Sequence, residues 1–226
     1  LALGARGAFE WGLGSVRLDS GADLSFVRRD GVRARFLPAS GQRFRDHLWP
    51  DARQWDLGLF TEARVEPRDR LALRVGGRLD HVQSSLGGAR DPSLGGLSVR
   101  DQFLRLDGSG AGEVDDAEVV GAANALVEWR FDARSATHLG FGTSMRAAGI
   151  TERYLAYAPA PGGFQVGNPA LVPEQKFALE WGGRLGRSWL DLETRVYAHW
   201  FADFIAQRVL LREDVNADGV TDVVRG

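Results

Sequence analysis

Apolar and polar side chains alternate along most of this chain, which is the pattern of β-strands whose two faces meet different surroundings. Between residues 70 and 82, for example, Leu71, Leu73 and Val75 fall on one face, and arginines and an aspartate fall on the other. Eight segments show this period: 3–11, 16–26, 56–65, 70–82, 123–131, 137–145, 177–185 and 190–200. A ninth is predicted at 204–211. The pattern therefore predicts a nearly all-β chain.

The predicted strands are longer than is usual in soluble proteins. They run from about nine to thirteen residues, whereas strands of soluble proteins average about five or six. A tilted strand needs about 9–11 residues to cross the hydrocarbon core of a bilayer. Strand length therefore favours the strands of a transmembrane β-barrel.

The connections between the predicted strands fall into two length classes. Four are tight and contain turn residues: 12–15, 66–69, 132–135 and 186–187. Three are long and rich in Gly, Pro, Ser, Asp and Arg: 27–55, 83–119 and 146–175. Outer-membrane barrels alternate short turns on one side with long loops on the other, whereas a soluble sandwich has no reason to do so. The connections therefore predict an antiparallel, up-and-down barrel wall with long loops that lack regular structure.

Alternation alone does not settle where the apolar face points, because a soluble barrel with an apolar interior has the same period. If the apolar face is outward, arginines and carboxylates line the lumen. An eight-stranded interior is only just wide enough for side chains, and so many charges inside it would need nearly complete pairing. We therefore expect a fragment of a larger barrel. The ends of the chain, Leu1 without a methionine and Gly226 after a turn-like sequence, agree with this expectation.

The composition removes several classes of function. The 226 residues carry a net charge of −2, which gives no indication of nucleic acid as a partner. The chain contains no cysteine, so disulfides, thiolate metal sites and cysteine nucleophiles are excluded. The four histidines have no ligand-like spacing, and no motif indicates catalytic residues. We therefore expect a protein that is not an enzyme.

Three segments in the second half of the chain resemble TonB-dependent outer-membrane receptors. Residues 146–154 are similar to a loop found late in the barrel of that family, although Gly149 stands where the family often has a polar residue. Residues 167–174 resemble its GNP-x-L-x-PE segment, which leads into the next strand. Residues 197–205 resemble an aromatic strand that ends at an extracellular loop. Two less specific matches lie upstream, at 58–62 and 79–80.

The resemblance implies a barrel of about 22 strands around a plug, in the bacterial outer membrane. It also implies TonB-energised uptake of a scarce ligand, such as a siderophore, another metal chelate, cobalamin or a glycan. Nothing in the chain resembles the plug, the TonB-contacting segment or the closing strands. We therefore interpret residues 1–226 as a partial receptor barrel of eight or nine strands. Its expected partners are outer-membrane lipid, the plug of the same protein, the TonB complex and a small-molecule or metal-chelate ligand.

Candidate ligand-facing residues lie in the long loop that carries the resemblance. They are Glu152, Arg153, Tyr154 and Asn168. The guanidinium of Arg153 and the ring of Tyr154 suit an anionic or aromatic ligand. Structural contact of these two side chains with neighbouring strands is an equally good interpretation. The sequence therefore predicts the loop without fixing which of its side chains reach a ligand.

A weaker motif near the end of the chain has the spacing of a calcium loop. Oxygen-bearing side chains stand at positions 1, 3, 5 and 9 of a D-x-N-x-D-G pattern, as Asp214, Asn216, Asp218 and Asp222. Position 12 holds Arg225 in place of the bidentate glutamate, and no helices flank the segment. An Asx-rich turn in an extracellular loop is the favoured interpretation. Calcium is therefore the one cofactor that the sequence suggests, and only weakly.

The sequence as a whole predicts a segment of an outer-membrane receptor. The alternative from a different class is a soluble, secreted all-β binding module, with calcium as its candidate ion. A hydrolase is a third reading, and no motif supports it. The first two differ in the surroundings of the apolar face, which meets hydrocarbon in the receptor and a dry core in the module.

Overall fold

The computed structural model describes residues 1–38, 41–91, 98–107, 114–156, 158–160, 163–213 and 221–225. Its elements in chain order are β1 (Ala2–Leu13), β2 (Val16–Leu37), β3 (Gln42–Arg68), β4 (Leu71–Leu86), α1 (Val99–Asp107), β5 (Asp116–Arg130), β6 (Ala136–Arg146), α2 (Ile150–Tyr154), β7 (Ala158–Ala160), β8 (Gly163–Gln165), β9 (Glu174–Arg187), β10 (Leu190–Ala202), β11 (Val209–Glu213) and β12 (Asp222–Arg225). None of the described helices is long and apolar enough to cross a membrane.

Eight of these strands form one antiparallel sheet in the order β1-β2-β3-β4-β5-β6-β9-β10. Neighbouring strands pair over most of their length. In the last pair, Arg187 lies opposite Leu190 at one end and Gln175 lies opposite Ala202 at the other. The sheet is open, with β1 and β10 at its edges. Each of the eight segments predicted from alternation lies in one of these strands to within one residue, so the expected antiparallel wall is confirmed.

The register of the sheet collects the large apolar side chains on one face. Leu59 lies opposite Leu79, and Leu139 lies opposite Trp181, and all four side chains are exposed. We call this surface the apolar face. It also exposes Leu57, Val75, Val127, Trp129, Phe141, Phe177, Leu179, Leu192, Val196 and Trp200. The opposite surface, which we call the polar face, carries the charged residues of the alternating pattern.

The connections are sorted by length between the two ends of the strands. Two-residue turns join β1 to β2, β3 to β4 and β9 to β10, and residues 131–135 join β5 to β6. The first of these turns contains Gly14, whose φ of +62° favours glycine. Much longer connections, 87–115 and 147–173, leave the other end of the sheet. The predicted alternation of short and long connections is therefore present for these strands.

The connection expected between residues 27 and 55 is a pair of strands, so the prediction of a loop there is wrong. β2 and β3 continue as a two-stranded ribbon beyond their neighbours, with Phe36 opposite Arg43 near its tip. We call residues 28–53 the ribbon. The register shifts on both sides of Gly31, and a bulge of this kind moves side chains to the other face. Because of this shift, apolar and polar residues do not keep a two-residue period through the ribbon, and the period did not predict these strands.

The other long connections also contain regular structure. Four short strands form a second sheet in the order β11-β12-β8-β7, in which β12 runs parallel to β8. The expectation of loops without regular structure is therefore wrong for the described residues. The prediction of a ninth wall strand at 204–211 is also not met by the structure. β11 begins only at Val209, and it pairs with β12 instead of joining the large sheet.

The buried apolar core lies among the long connections. Side chains from α1, α2, β8 and β12 pack against Ala52 of β3 and Leu86 of β4, which form the last paired position of these two strands. The buried members of this core are Ala52, Leu86, Val99, Phe103, Ile150, Tyr154, Ala156, Phe164, Val166 and Val224. We call α1, α2, β7, β8, β11 and β12, together with the other described residues of 87–115, 147–173 and 203–225, the loop cap. Burial of each large side chain stabilises such a unit by about 1.5–3 kcal/mol, so the cap is a folded structure.

Candidate functional site

A cleft of about 540 Å³ opens in the loop cap. One wall is the connection that contains α2, and the other is the segment 203–210 that follows β10. We call it the cap cleft. Its lining includes Glu152, Asn168, Leu171, Val172, Phe204, Ile205 and Arg208. Apolar walls with a few polar groups are typical of small-molecule sites.

The first wall is built on the start of α2. Gly149 precedes the helix in an extended conformation, and its N–H donates a hydrogen bond of 2.7 Å to Oε2 of Glu152. Nη1 of Arg146 donates to the same oxygen at 2.8 Å. An N-terminal glutamate also interacts favourably with the helix dipole. Glu152 therefore fixes the beginning of α2, and it also lines the cap cleft.

The next residue of the helix, Arg153, lies completely beneath the surface of the loop cap. Its side chain has a relative exposure of 0%. Nη1 lies 2.8 Å from Oδ2 of Asp116 and 2.9 Å from the carbonyl oxygen of Pro169, and Nη2 lies 2.7 Å from Oε1 of Glu118. A buried guanidinium requires such partners because the desolvation of an unpaired charge is very unfavourable. Arg153 therefore ties α2 to the start of β5.

Tyr154 is buried beside it in the apolar core of the cap. Its hydroxyl donates a hydrogen bond of 2.6 Å to the carbonyl oxygen of Val114. Burial raises the pKa of Tyr154 well above its ordinary value. The phenol is therefore neutral under physiological conditions, and it satisfies a backbone acceptor in the connection before β5.

The four candidate residues thus occupy two different environments. Glu152 and Asn168 line the cap cleft, and ligand contact stays a prediction for both. Asn168 also shapes the loop, because its side-chain oxygen accepts the N–H of Ala170 at 2.8 Å. Arg153 and Tyr154 are buried below the cleft. The sequence left two interpretations open for Arg153 and Tyr154, namely ligand contact and structural contact. The contacts that these two side chains make are structural.

The two walls of the cap cleft are joined by charged residues that the sequence reading did not single out. Arg146 bonds to Glu152 in the first wall, and its Nε lies 3.6 Å from Oε1 of Glu174. The other oxygen of Glu174 accepts the N–H of Ile205, in the second wall, at 3.1 Å. The signal in the sequence was the position of Arg146 and Glu174 at the ends of the two family segments. The guanidinium group of Arg146 and the carboxylate of Glu174 therefore connect the two walls of the cap cleft.

Acid is expected to loosen the start of α2 through Glu152. Burial would raise the pKa of Glu152, but hydrogen bonds from Arg146 and from the N–H of Gly149 outweigh it and lower the pKa below its ordinary value. A lowered pKa stabilises the folded state above the ordinary carboxyl pKa, and this contribution is lost as the pH falls through the lowered value. The protection factors of α2 in hydrogen–deuterium exchange, which correct for the pH dependence of the intrinsic exchange rate, should therefore fall as the pH drops below the ordinary range of a carboxyl pKa.

The variant Glu152→Gln should show faster exchange of α2 at neutral pH and a flatter response to acid, because the amide does not titrate. Glu193→Gln, at an exposed position of β10, is the matched control. It should keep the wild-type profile. Equal pH profiles for Glu152→Gln and the wild-type protein would contradict the role of this carboxylate.

The polar face of the sheet carries charges in paired sets. Arg78 donates to both oxygens of Asp23, at 2.6 and 2.7 Å, and also to Asp80. Nε2 of His138 lies 3.1 Å from Oε1 of Glu180. Paired guanidinium and carboxylate groups can face water or a polar partner without a large desolvation penalty. This face is therefore suited to a wet or polar interior.

No metal centre is found within the part of the chain that the structure describes. That part contains no group of three or more His, Asp or Glu residues that could hold a metal ion. The predicted calcium positions Asp214, Asn216 and Asp218 lie outside the described residues, as does the side chain of Asp222. Calcium binding by this motif stays a prediction.

Comparison with known proteins identifies similar folds. The family described as "TonB dependent receptor-like, beta-barrel" matches residues 1–223. The copper transporter OprC superposes with a TM-score of 0.73 and 16% identity over 99% of this chain. The Serratia marcescens hemophore receptor HasR, solved with its hemophore HasA and heme, gives a TM-score of 0.62 and 16% identity over 92% of this chain.

A third structure, the ferric-catecholate import receptor Fiu from E. coli K12, gives a TM-score of 0.53 and 13% identity over 98% of this chain. The matched regions cover 32% of OprC, 34% of HasR and 33% of Fiu, so this chain spans about a third of their length. No curated protein matches the sequence. At these identities the three structures establish a shared fold.

Proposed function

We propose that this chain, which belongs to the TonB-dependent receptor-like β-barrel family, forms part of the wall of a receptor that imports a scarce ligand across the bacterial outer membrane. The family consists of outer-membrane transport receptors. On this proposal the chain is not an enzyme. It supplies a surface for lipid, a surface for the lumen and part of the site that captures the ligand.

The observation that carries the proposal is the height of the apolar face. In β2 this face extends from Val16 to Phe26, and ten residues correspond to about 33 Å along a strand. Strands of outer-membrane barrels are tilted by about 35–45°, which reduces that length to about 25 Å, the usual height of the lipid-facing band. Aromatic rings lie at both limits, including Trp55 at the outer end and Trp129 near a tight turn. Such rings are enriched at membrane interfaces.

The tight turns at one end of the sheet and the long connections at the other support an orientation of the sheet in the membrane. Outer-membrane barrels place short turns in the periplasm and long loops outside. We therefore assign the tight turns to the periplasm and the loop cap to the extracellular side. The cap cleft then opens where a ligand arrives, and Glu152 and Asn168 are proposed as its polar contacts.

The polar face is proposed to line the lumen and to contact the plug domain of the same protein. The paired charges around Arg78 and Glu180 suit that role, because they remain paired whether the lumen is wet or filled by a polar domain. Energy for transport is proposed to come from the TonB complex, as the family implies. The ligand is proposed to be a small molecule or a metal chelate, a class that includes siderophores, cobalamin and glycans.

The soluble binding module is the weaker candidate. It requires the leucines and tryptophans of the sheet to be sealed in a dry core, whereas Leu59, Leu79 and Trp181 are exposed. A contiguous apolar surface of this size on a soluble monomer is unusual and marks an interaction surface. Lipid is the partner that fits a band running across eight strands.

Membrane fractionation tests the proposal directly. Bacteria that express the full-length protein should retain it in the outer-membrane fraction after washing with alkaline carbonate, and detergent should be required to release it. Deletion of the gene should then lower the TonB-dependent uptake of at least one member of a panel of ferric catecholate, heme, copper and cobalamin. Release by carbonate would contradict the membrane assignment, and unchanged uptake of the whole panel would contradict the proposed ligand classes.

A further inference from the structure

At the base of the ribbon, the apolar face ends with an aromatic pair followed by a cationic pair. Phe26 lies opposite Trp55, and their ring centroids are 4.3 Å apart. At the next position on the same face, Arg28 lies opposite Arg53. Both arginine side chains are about half exposed, at 43% and 45%. Two guanidinium groups therefore stand side by side just beyond the outer end of the apolar face.

A single carboxylate is shared between these arginines. Nε of Arg28 lies 2.5 Å from Oδ1 of Asp51, and Arg53 donates to both oxygens of the same group, with Nε at 3.1 Å from Oδ1. The backbone of Asp51 has a φ of +52°, in the left-handed region that Asp adopts more readily than most residues. One negative charge compensates two positive charges, so the group carries a net charge of +1. The two terminal nitrogens of Arg28 donate to none of the described residues, so they stay available to an acceptor.

The order of side chains along β2 and β3, from the wall to the base of the ribbon, follows the order of chemical layers in a membrane. Leu24 and Leu57 are followed outward by Phe26 and Trp55, and then by the arginine pair, with about 6.6 Å between successive pairs on one face. Hydrocarbon is followed in a membrane by an interface that favours aromatic rings and then by charged headgroups. The arginine pair therefore lies at the level of the headgroups on the loop-cap side.

We infer that Arg28 and Arg53 form a binding site for the phosphate group of an anionic lipid in the outer leaflet. The planar guanidinium forms pairs of parallel hydrogen bonds with phosphate oxygens, and it does so better than an ammonium group. Trp55 and Phe26 lie directly below and suit the start of the acyl chains. This inference rests on the proposed function, because it requires the apolar face to meet lipid. The competing role is a structural one, in which the arginines only neutralise Asp51.

The test is lipid titration of the full-length receptor in detergent, followed by native mass spectrometry. The probes are dioctanoyl-phosphatidic acid, dioctanoyl-phosphatidylcholine and inorganic phosphate. We expect the wild-type protein to bind phosphatidic acid in preference to phosphatidylcholine. The variant R28Q/R53Q should lose about tenfold in affinity for phosphatidic acid, as expected for the loss of charge-assisted hydrogen bonds. Added salt should weaken binding to the wild-type protein.

The matched control is R17Q/R64Q. Arg17 and Arg64 are also a cross-strand arginine pair of β2 and β3, but they lie on the polar face near the tight turns. The change in net charge is the same, so this variant should bind phosphatidic acid like the wild-type protein. A second variant, R28Q, leaves Asp51 paired with Arg53, and it should fold and still lose affinity. If R28Q/R53Q does not fold, R28Q decides the question.

Several outcomes would overturn the inference. Unchanged affinity in R28Q would leave only the structural role, and an equal loss in R17Q/R64Q would indicate a general effect of charge. Inorganic phosphate that competes as well as the lipid would indicate a site for free anions. Binding of both lipids without preference would overturn this inference alone, whereas a protein that needs no detergent would overturn the proposed function.

Discussion

Replacement of Arg153 by methionine is expected to destabilise the loop cap by about 3–5 kcal/mol, the usual penalty for removing one partner of a buried ion pair. Methionine has a similar length, so the change removes the charge with little loss of volume. Glu118, only 12% exposed, would then keep a carboxylate without its guanidinium partner. Hydrogen–deuterium exchange of α2 and β8 should rise by two orders of magnitude or more, as about 1.4 kcal/mol corresponds to a factor of ten. Exchange of the eight-stranded sheet should stay unchanged.

The matched control for this substitution is Arg184→Met. Arg184 also forms an ion pair, with Asp191 at 2.7 Å, but both side chains are about 60% exposed. Exposed pairs contribute about 0–1 kcal/mol, so exchange should change by less than about tenfold. Similar exchange rates in the two variants would show that the burial of Arg153 does not add to the stability of the loop cap. This result would contradict its role in joining α2 to β5.

Replacement of Val75 by arginine is expected to impair insertion of the protein into the outer membrane. Val75 is 58% exposed at the middle of the apolar face of β4 and has Ala63 and Ala125 as its cross-strand neighbours. An arginine on the lipid face costs about 2–4 kcal/mol at the centre of the bilayer. The fraction of protein that resists extraction with alkaline carbonate should fall, and the midpoint of urea unfolding in detergent-free bilayers should shift down.

Asn124→Arg provides the control for this second substitution. Asn124 lies one strand away, on the polar face, and its cross-strand neighbours are Gly76 and Gly142. An additional arginine there meets water or polar groups, so insertion and unfolding should remain close to wild type. An equal defect in both variants would mean that the two faces of the sheet do not meet different surroundings.

The wall of the barrel is predictable from the sequence because each strand buries or exposes one whole face. That condition imposes a strict period of two, and the alternation located all eight strands of the large sheet. The family suggested by residues 146–154 and 167–174 is confirmed by a match to residues 1–223. The ribbon escaped prediction for a specific reason, since the shift beside Gly31 changes the phase of the pattern and arginines stand on both faces.

The loop cap could not be predicted in the same way. β7 and β8 have three residues each, which is too short for a period to appear. β12 pairs in parallel with β8 across about sixty residues of chain, and such a contact leaves no local signal. The sequence placed Glu152 and Arg153 together in a ligand-facing loop. Neighbouring positions of a helix point in directions about 100° apart. That Arg153 is the buried one follows from partners distant in the sequence, among them Asp116 and Glu118 on β5.

The loop cap and the wall are expected to respond to different surroundings, because the stability of the cap depends on water and that of the wall depends on lipid. The cap excludes water from its own core, so its stability varies with temperature, osmolytes and urea through the hydration of apolar groups. On the proposed placement in the outer membrane, the apolar face of the wall meets lipid, so the stability of the wall is expected to follow the thickness of the surrounding bilayer. A change in acyl-chain length is then expected to affect the wall and to leave the loop cap intact, whereas a change in osmolyte concentration is expected to affect the loop cap and to leave the wall intact.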